Sequence, residues 1–555
     1  LQGLQAGSAP NSVPAGSACS LSKGYAQTSE HFMTDPSIDR IVVVGGGSAG
    51  WLTAAVLAAA HPTRAGQPAR VTLVESPEVA PLGVGEGTWP TMRDTLRRIG
   101  VSEADFLREC DASFKQGSRF MRWVDGTAAD AYDHPFALPH GQGEANLYAA
   151  WVRGQHGAHY AEAVSFQPAV CAAGKAPKQA GTPEFAAVSN YGYHLDAGRF
   201  GTFLRSHCVN HLQVRHVQAH VLGVHAHENG DIRAVATDSH GDIAGELFID
   251  CSGSRSLLLG QHYGVALKSM KHVLFNDAAL AVQLPYPNSQ APVATQTLST
   301  AQTAGWIWDI GLPTRRGIGH VYSSAHASED SVAQALQQYL AQHGGGAAGR
   351  ETQDLAFRKL QFEPGYREHF WHRNCVAVGQ AAGFIEPLEA SALVMAELAA
   401  AMLADCLPAT RAEMEVVARQ FNEAFTYRWQ RIIDFLKLHY VLSRRRDSDY
   451  WRDNQSAASM PERLTELLTV WRHRQPSRYD LNRIEEVFPA ASYEYILYGM
   501  GFKPALSPQA TSPSELALAE RYLQETAQRT RKLLAGLPGN RELLDHFRRP
   551  VPQGL

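Results

Sequence analysis

Arg40-Ile41-Val42-Val43-Val44 is a run of consecutive β-branched residues after one arginine, the pattern of a strand buried on both faces. It turns without a linker into Gly45-Gly46-Gly47-Ser48-Ala49-Gly50, and Trp51 to Ala60 follows as an apolar helix rich in small residues. Residues 61–70 read as a polar Pro/Gly loop, and Val71-Thr72-Leu73-Val74-Glu75 as a second strand. Strand, glycine turn, helix, strand is the order of a dinucleotide-binding unit.

From Val214 to Gly253 the pattern predicts short β segments split by Glu228-Asn229-Gly230-Asp231 and His240-Gly241-Asp242, an antiparallel ribbon that re-enters the sheet at Leu247–Cys251. A second β-rich stretch covers about residues 269–323, and the chain returns to the nucleotide fold at Cys375–Gly379. Residues 391–545 are largely helical by pattern, notably 411–440 and 514–536, and no internal repeat is visible. The expected class is α/β, a discontinuous Rossmann-like nucleotide domain with β-rich insertions and a helical C-terminal substrate subdomain. We expect residues 1–37 to be a flexible leader rich in Ser, Ala, Gly and Pro, 38–395 the nucleotide domain with its insertions, and 396–555 the helical region completing a substrate pocket. Met33 opens MTDPSIDR and reads as a natural start.

Composition narrows the function classes. A net charge of −4 offers no field for nucleic acid or an anionic membrane, so neither partner is expected. The seven cysteines are scattered without a C-x-x-C pair, which argues for a reducing cytoplasm. No apolar stretch approaches the roughly 20 residues of a membrane span, and the leader lacks a signal-peptide core.

Gly45, Gly47 and Gly50 fit G-x-G-x-x-G: a tight turn, a close backbone approach to a pyrophosphate, and close helix packing, with the N-terminal residues Ser48 and Ala49 facing the anion. Glu75, at the end of the next strand, is placed to bond ribose hydroxyls. Gly344, Gly346 and Gly349 match the same pattern but follow a helical stretch and read as a loop. The later returns to the sheet resemble the discontinuous FAD domain of aromatic-hydroxylase-like flavoproteins. With no second credible motif for NAD(P)H, the flavin must be reduced by another protein.

Several dispersed segments resemble the flavin-dependent tryptophan halogenases. Gly83-Val84-Gly85-Glu86-Gly87-Thr88-Trp89-Pro90 is similar to their flavin-contacting GVGE segment, Cys110–Lys115 to the segment of their essential lysine, and His134-Pro135-Phe136 to their substrate-pocket segment. Trp306-Ile307-Trp308-Asp309-Ile310 resembles most of the W-x-W-x-I-P signature, Glu386-Pro387-Leu388-Glu389 the segment of the essential glutamate, and Leu438-His439-Tyr440 with Arg446, Asp447 and Trp451 a helical segment. Two departures stand out: Gly311 replaces the signature proline, and Glu389-Ala390-Ser391-Ala392 replaces E-S-T-G. They point to a branch that does not use free tryptophan.

The resemblance implies that FADH2, O2 and chloride or bromide give hypohalous acid, which passes to Lys115 and halogenates an electron-rich, indole-like aromatic. Lys115 would bind the oxidant as ammonium or amine, and Glu389 would polarise it or take the ring proton. It further implies FAD contacts at Gly85, Glu86, Val221, Gln380 and Leu393, halide contacts at Ser391 and Ala392, and substrate or passage roles for His134, Phe136, Trp306 and Trp308. A separate NAD(P)H flavin reductase is implied as a partner, and the family leans towards a homodimer.

Plainer roles exist for each residue: a solvated lysine, core packing for the tryptophans, a helix-start carboxylate for Glu389, and loop packing for His134 and Phe136. The histidines at 216, 220, 225 and 227 read as a solvated ribbon rather than a metal site. Arg444–Arg446 reads as a helix end or a salt-bridge partner for Asp447 and Asp449. An FAD-dependent monooxygenase is the alternative activity, and a non-catalytic flavin-binding protein the third reading.

Overall fold

All four residues of Ile41–Val44 are buried, because the strand lies inside a parallel sheet with neighbours on both edges. The order of this six-stranded sheet is Trp371–His372, Cys375–Ala377, Leu247–Asp250, Ile41–Val44, Val71–Glu75 and Arg215–Gln218; only the Trp371–His372 edge runs antiparallel to its neighbour. The structure is a computed structural model describing residues 37–78, 85–154, 159–343, 355–481 and 487–549. The leader through residue 36, Gly83 and Val84, and the second glycine match at Gly344, Gly346 and Gly349 lie outside the described residues.

The glycine turn leads into helix Ser48–Ala60, whose small side chains let helix Ser391–Asp405 pack against it. Segment Arg215–Gln218, expected in the ribbon, is instead the edge strand of the parallel sheet. Val217 turns into the core and His216 meets Glu75, contacts that a solvated ribbon would not provide. The ribbon itself is the three-stranded antiparallel sheet Val221–Ala226, Ile232–Thr237 and Gly241–Ala244.

Two further sheets bring the chemistry together. In a seven-stranded sheet, Gly305–Gly311 is central and Ala131–Pro135, bearing His134, lies at one edge. In a three-stranded sheet, Gly192–Asp196 lies between Gly85–Gly87 and Ser113–Lys115, so Gly87 and Ser113 face the same residue, His194, from opposite sides. The 31-residue helix Arg411–Val441 carries His439 near its end. The described residues from Ser37 onwards form one unit, with Ser37 bridged to Thr410, and helix Ser391–Asp405 runs through residues 395 and 396. Among the described residues, no helix is long and apolar enough to cross a membrane.

Candidate active site

A cleft of about 500 Å³ opens at the glycine turn, within the range of cofactor sites. It is lined by Gly45, Gly47, Ser48, Ala49, Glu75, Glu86, Val221, Gln380 and Leu393, and also by Ser391 and Ala392. Thus nine of the expected FAD contacts and both expected halide residues share one cleft, while Gly50 and Gly85 are not among its lining residues. The turn fits a pyrophosphate. Gly45 has φ +120°, and a Cβ there would strike the Cys251 carbonyl oxygen at 2.1 Å, while a Cβ on Gly50 would strike the Gly45 carbonyl oxygen at 1.9 Å. At Gly47 a Cβ would meet nothing within 4 Å: this is the open face. Helix Ser48–Ala60 has no side-chain cap and no acidic residue in its first turn, leaving its amide N–H groups to an anion.

Glu75 packs its carboxyl group against Gly46 and accepts a hydrogen bond from His216 Nε2 at 2.8 Å. His216 stacks edge-on against Trp51, and His220 lines the cleft, so neither belongs to a solvated ribbon. Burial, with Asp196 nearby, pushes the Glu86 carboxyl up to about 7. Among the described residues, no cluster of side chains suits a metal ion.

Lys115 is not a solvated lysine. It is 1 % exposed, and its side chain makes no hydrogen bond or ion pair among the described residues; its Nζ lies 5.4 Å from the centroid of the Phe136 ring. Burial pulls its pKa down to about 8, against the opposing pull of Glu389. A Cβ on Gly87 would lie 3.2 Å from both Lys115 Nζ and Ala390 Cβ. Gly87 follows Glu86 and Ala390 precedes Ser391, and both Glu86 and Ser391 line the cleft. The ammonium is therefore one residue removed from the FAD cleft along two separate segments.

Glu389 is equally enclosed, at 3 % exposure. His134 Nδ1 donates to its Oε1 at 2.8 Å, and His439 Nε2 lies 3.4 Å from the same oxygen. At that length the His439 contact is electrostatic, since its alignment makes no hydrogen bond. Burial pushes the carboxyl pKa up, but the His134 charge and hydrogen bond, aided by His439, outweigh it and hold Glu389 ionised down to about pH 2. The carboxylate thus faces two histidines from other elements. Ala390, the residue before helix Ser391–Asp405, adopts the left-handed conformation at φ +55°, a strained turn for a residue other than glycine.

The sequence of this chain matches the tryptophan halogenase model over residues 40–515. It belongs to the tryptophan halogenase family. A solved tryptophan halogenase of Shewanella frigidimarina NCIMB 400 is 47% identical, superposes with a TM-score of 0.88, and is covered to 98%, with 92% of this chain. The flavin-dependent halogenase BrvH of Brevundimonas sp. BAL3 is 32% identical with a TM-score of 0.80, over 92% of this chain and all of the other. Tryptophan 6-halogenase SttH of Streptomyces toxytricini is 30% identical over 91% of this chain and 97% of its own length. The protein is accordingly a flavin-dependent halogenase that uses FADH2, a halide and O2.

In this halogenase the signature tryptophans lie away from the cleft. Trp306 is fully buried against Trp123 and donates its indole N–H to Glu386 at 2.7 Å; Trp308 packs over Gly319. Gly311, in place of proline, accepts a hydrogen bond from Ser113 at 2.5 Å, tying the signature strand to the strand of Lys115. A Cβ there would press within 3.0–3.2 Å of Ala294, Val293 and Tyr286. Arg445 is buried, pairs with Asp447 and lies over the Trp451 ring.

Sequence reasoning missed four residues. Trp89 donates to the Glu389 carbonyl, Ser492 Oγ meets His134 Nε2 at 2.9 Å, Tyr132 meets His439, and His194, fully buried, sits beside Lys115. The GVGE block reached Trp89 and the LHY run reached His439, in neither case giving the residue a task. Nothing local marked Tyr132 or Ser492.

Proposed function

We propose that this enzyme halogenates an electron-rich, indole-like aromatic at Lys115, with Glu389 as proton acceptor, using hypohalous acid made in the FAD cleft. The observation that carries the reading is the enclosed pair: a buried lysine whose side chain makes no hydrogen bond among the described residues and a buried ionised glutamate, each one residue removed from the lining of the cleft. When bound, reduced FAD supplies two electrons and halide two more to O2, giving hypohalous acid and water.

Lys115, mainly an ammonium below its pKa of about 8, donates a hydrogen bond to the hypohalous oxygen and makes the halogen electrophilic. As the ring carbon bonds to the halogen, the departing oxygen takes a proton from Lys115 and leaves as water. The ring then loses its proton to Glu389, the C–H electron pair returning to the aromatic system. Proton transfer from the Glu389 carboxyl to the Lys115 amine restores both groups. A carboxylate with a pKa of about 2 is a weak base, yet it suffices for a strongly acidic ring cation and stays unprotonated until needed. Both contacts to Glu389 use Oε1, which leaves Oε2 for the ring.

Phe136, beside the ammonium, and His134, beside the carboxylate, are the pocket walls in this reading. Family resemblance supports a separate NAD(P)H flavin reductase, a homodimer, and division into an FAD part and a helical substrate part. The six described cysteines, all free and five of them buried, support a cytoplasmic setting. The test supplies FAD, a reductase, NADH, O2 and bromide or chloride with indole, and reads product masses. A halogen-for-hydrogen mass shift is expected; an oxygenated product instead would assign the enzyme to the monooxygenases.

A further inference from the structure

Tyr132 and His439 stand behind Glu389 on its Oε1 side. The Tyr132 hydroxyl and His439 Nδ1 are 2.7 Å apart, and both side chains are buried, at 1 % and 0 % exposure. Burial, with Glu389 and Asp130 near, raises the phenol far above its ordinary range, so it keeps its proton and must donate to Nδ1. Burial likewise lowers the His439 pKa, favouring the neutral ring. A neutral histidine that accepts at Nδ1 carries its proton on Nε2, the atom facing Glu389 Oε1 at 3.4 Å. Phe120 stacks on Tyr132 at 4.8 Å and tilts against His439 at 4.7 Å, and Trp123 and Phe435 meet the imidazole edge-on.

We infer that Tyr132 and His439 form a positioning arm that fixes the His439 tautomer, holds Oε1 of Glu389 against His134, and so presents Oε2 to the substrate. The inference rests on the proposed role of Glu389 and adds two residues to it. The 3.4 Å contact is of the kind that closes when substrate fills the pocket. Without the Tyr132 proton, the His439 proton can move to Nδ1, and a lone pair then faces the carboxylate. The groups that titrate or carry charge around Glu389 are His134 and Tyr132 on one strand, His439 on the long helix, and Lys115 on the small sheet.

The test compares Tyr132→Phe, His439→Gln, His439→Leu and Glu389→Gln in the FAD-loaded enzyme, reading kcat, KM and the pH profile of kcat, with FAD affinity as the check on folding. Tyr132→Phe keeps the ring stack and should lower kcat roughly tenfold with KM within about twofold. The acid limb of its profile should move up by about one pH unit, because Glu389 loses part of what holds it ionised. His439→Gln places an amide near Nε2 and should retain more activity than His439→Leu. If Tyr132→Phe and both His439 variants match the wild-type kcat and profile while Glu389→Gln is inactive, the arm is overturned and the Glu389 role stands. If Glu389→Gln is fully active, both fall together.

Discussion

The indole N–H of Trp89 donates to the backbone carbonyl of Glu389 at 2.7 Å, joining the segment after strand Gly85–Gly87 to the turn before helix Ser391–Asp405. Glu86 and Ser391, on these same two segments, line the cleft, so one hydrogen bond braces two segments of its wall; in the proposed reading this wall separates cofactor from substrate. The Trp89 ring also packs on Phe488, which stacks on Phe435 beside His134.

Trp89→Phe keeps the packing and loses the donor. We expect halogenation to fall about tenfold, the cost of one hydrogen bond, with FAD affinity changed less than about twofold. Product formed per NADH consumed should fall as well. Steady-state product analysis beside FAD titration checks this, and an unchanged product yield would remove Trp89 from the brace.

Gly87→Ala tests the short path from cleft to ammonium. The added methyl lies 3.2 Å from Lys115 Nζ and from Ala390 Cβ, and the flexible lysine is the partner that gives way. Product yield should drop roughly tenfold while FAD still binds, because a displacement of this size disturbs a near-attack geometry. Free hypohalous acid, caught by a small scavenger, should rise in step.

Much of this was legible in the sequence, for identifiable reasons. Gly45, Gly47 and Gly50 follow a strand whose β-branched run has no other reading, and Lys115 and Glu389 sit in segments with a distinctive order of residues. The placement of Arg215–Gln218 was not legible, because four residues with one buried valine fit an edge strand or a ribbon equally well. Tyr132 meets His439 and Ser492 meets His134 across more than 300 positions, and His439 reaches Glu389 across 50; no local spacing encodes such meetings. Trp306 and Trp308 share a strand face as expected, but only the fold reveals that Trp306 spends its N–H on Glu386.

Lys115 makes the site costly to fold. Its folded-state pKa is about 8 against the ordinary 10.5, so between these values the unfolded chain binds the proton and the folded protein does not. Stability therefore rises with pH across that window, and the whole penalty, about 3 kcal/mol, stands below pH 8. Lys115→Met should raise unfolding free energy at pH 7 by an amount of this order and flatten the dependence between pH 8 and 10.5. Denaturant titrations at pH 7 and 10 measure both. In single turnovers, wild-type transfer of halogen should slow as pH rises through about 8, where the ammonium is lost.

Glu397, buried on helix Ser391–Asp405, shows the opposite sign. Burial, reinforced by Asp94, lifts its pKa to about 8 despite a hydrogen bond from Thr95 at 2.8 Å. The folded protein keeps a proton that the unfolded chain loses above pH 4.5, so stability falls as pH rises from 4.5 to 8. Glu397→Gln should raise the thermal midpoint by about 2 °C or more at pH 8 and change it little at pH 4.5.

Lys115→Ala, assayed with bromide, indole and a small scavenger of hypohalous acid, probes the transfer step itself. The variant should bind FAD, consume O2 and brominate the scavenger, yet yield no bromoindole. Bromoindole formed at the wild-type rate would contradict the account, since the halogen would then reach the ring without the buried amine.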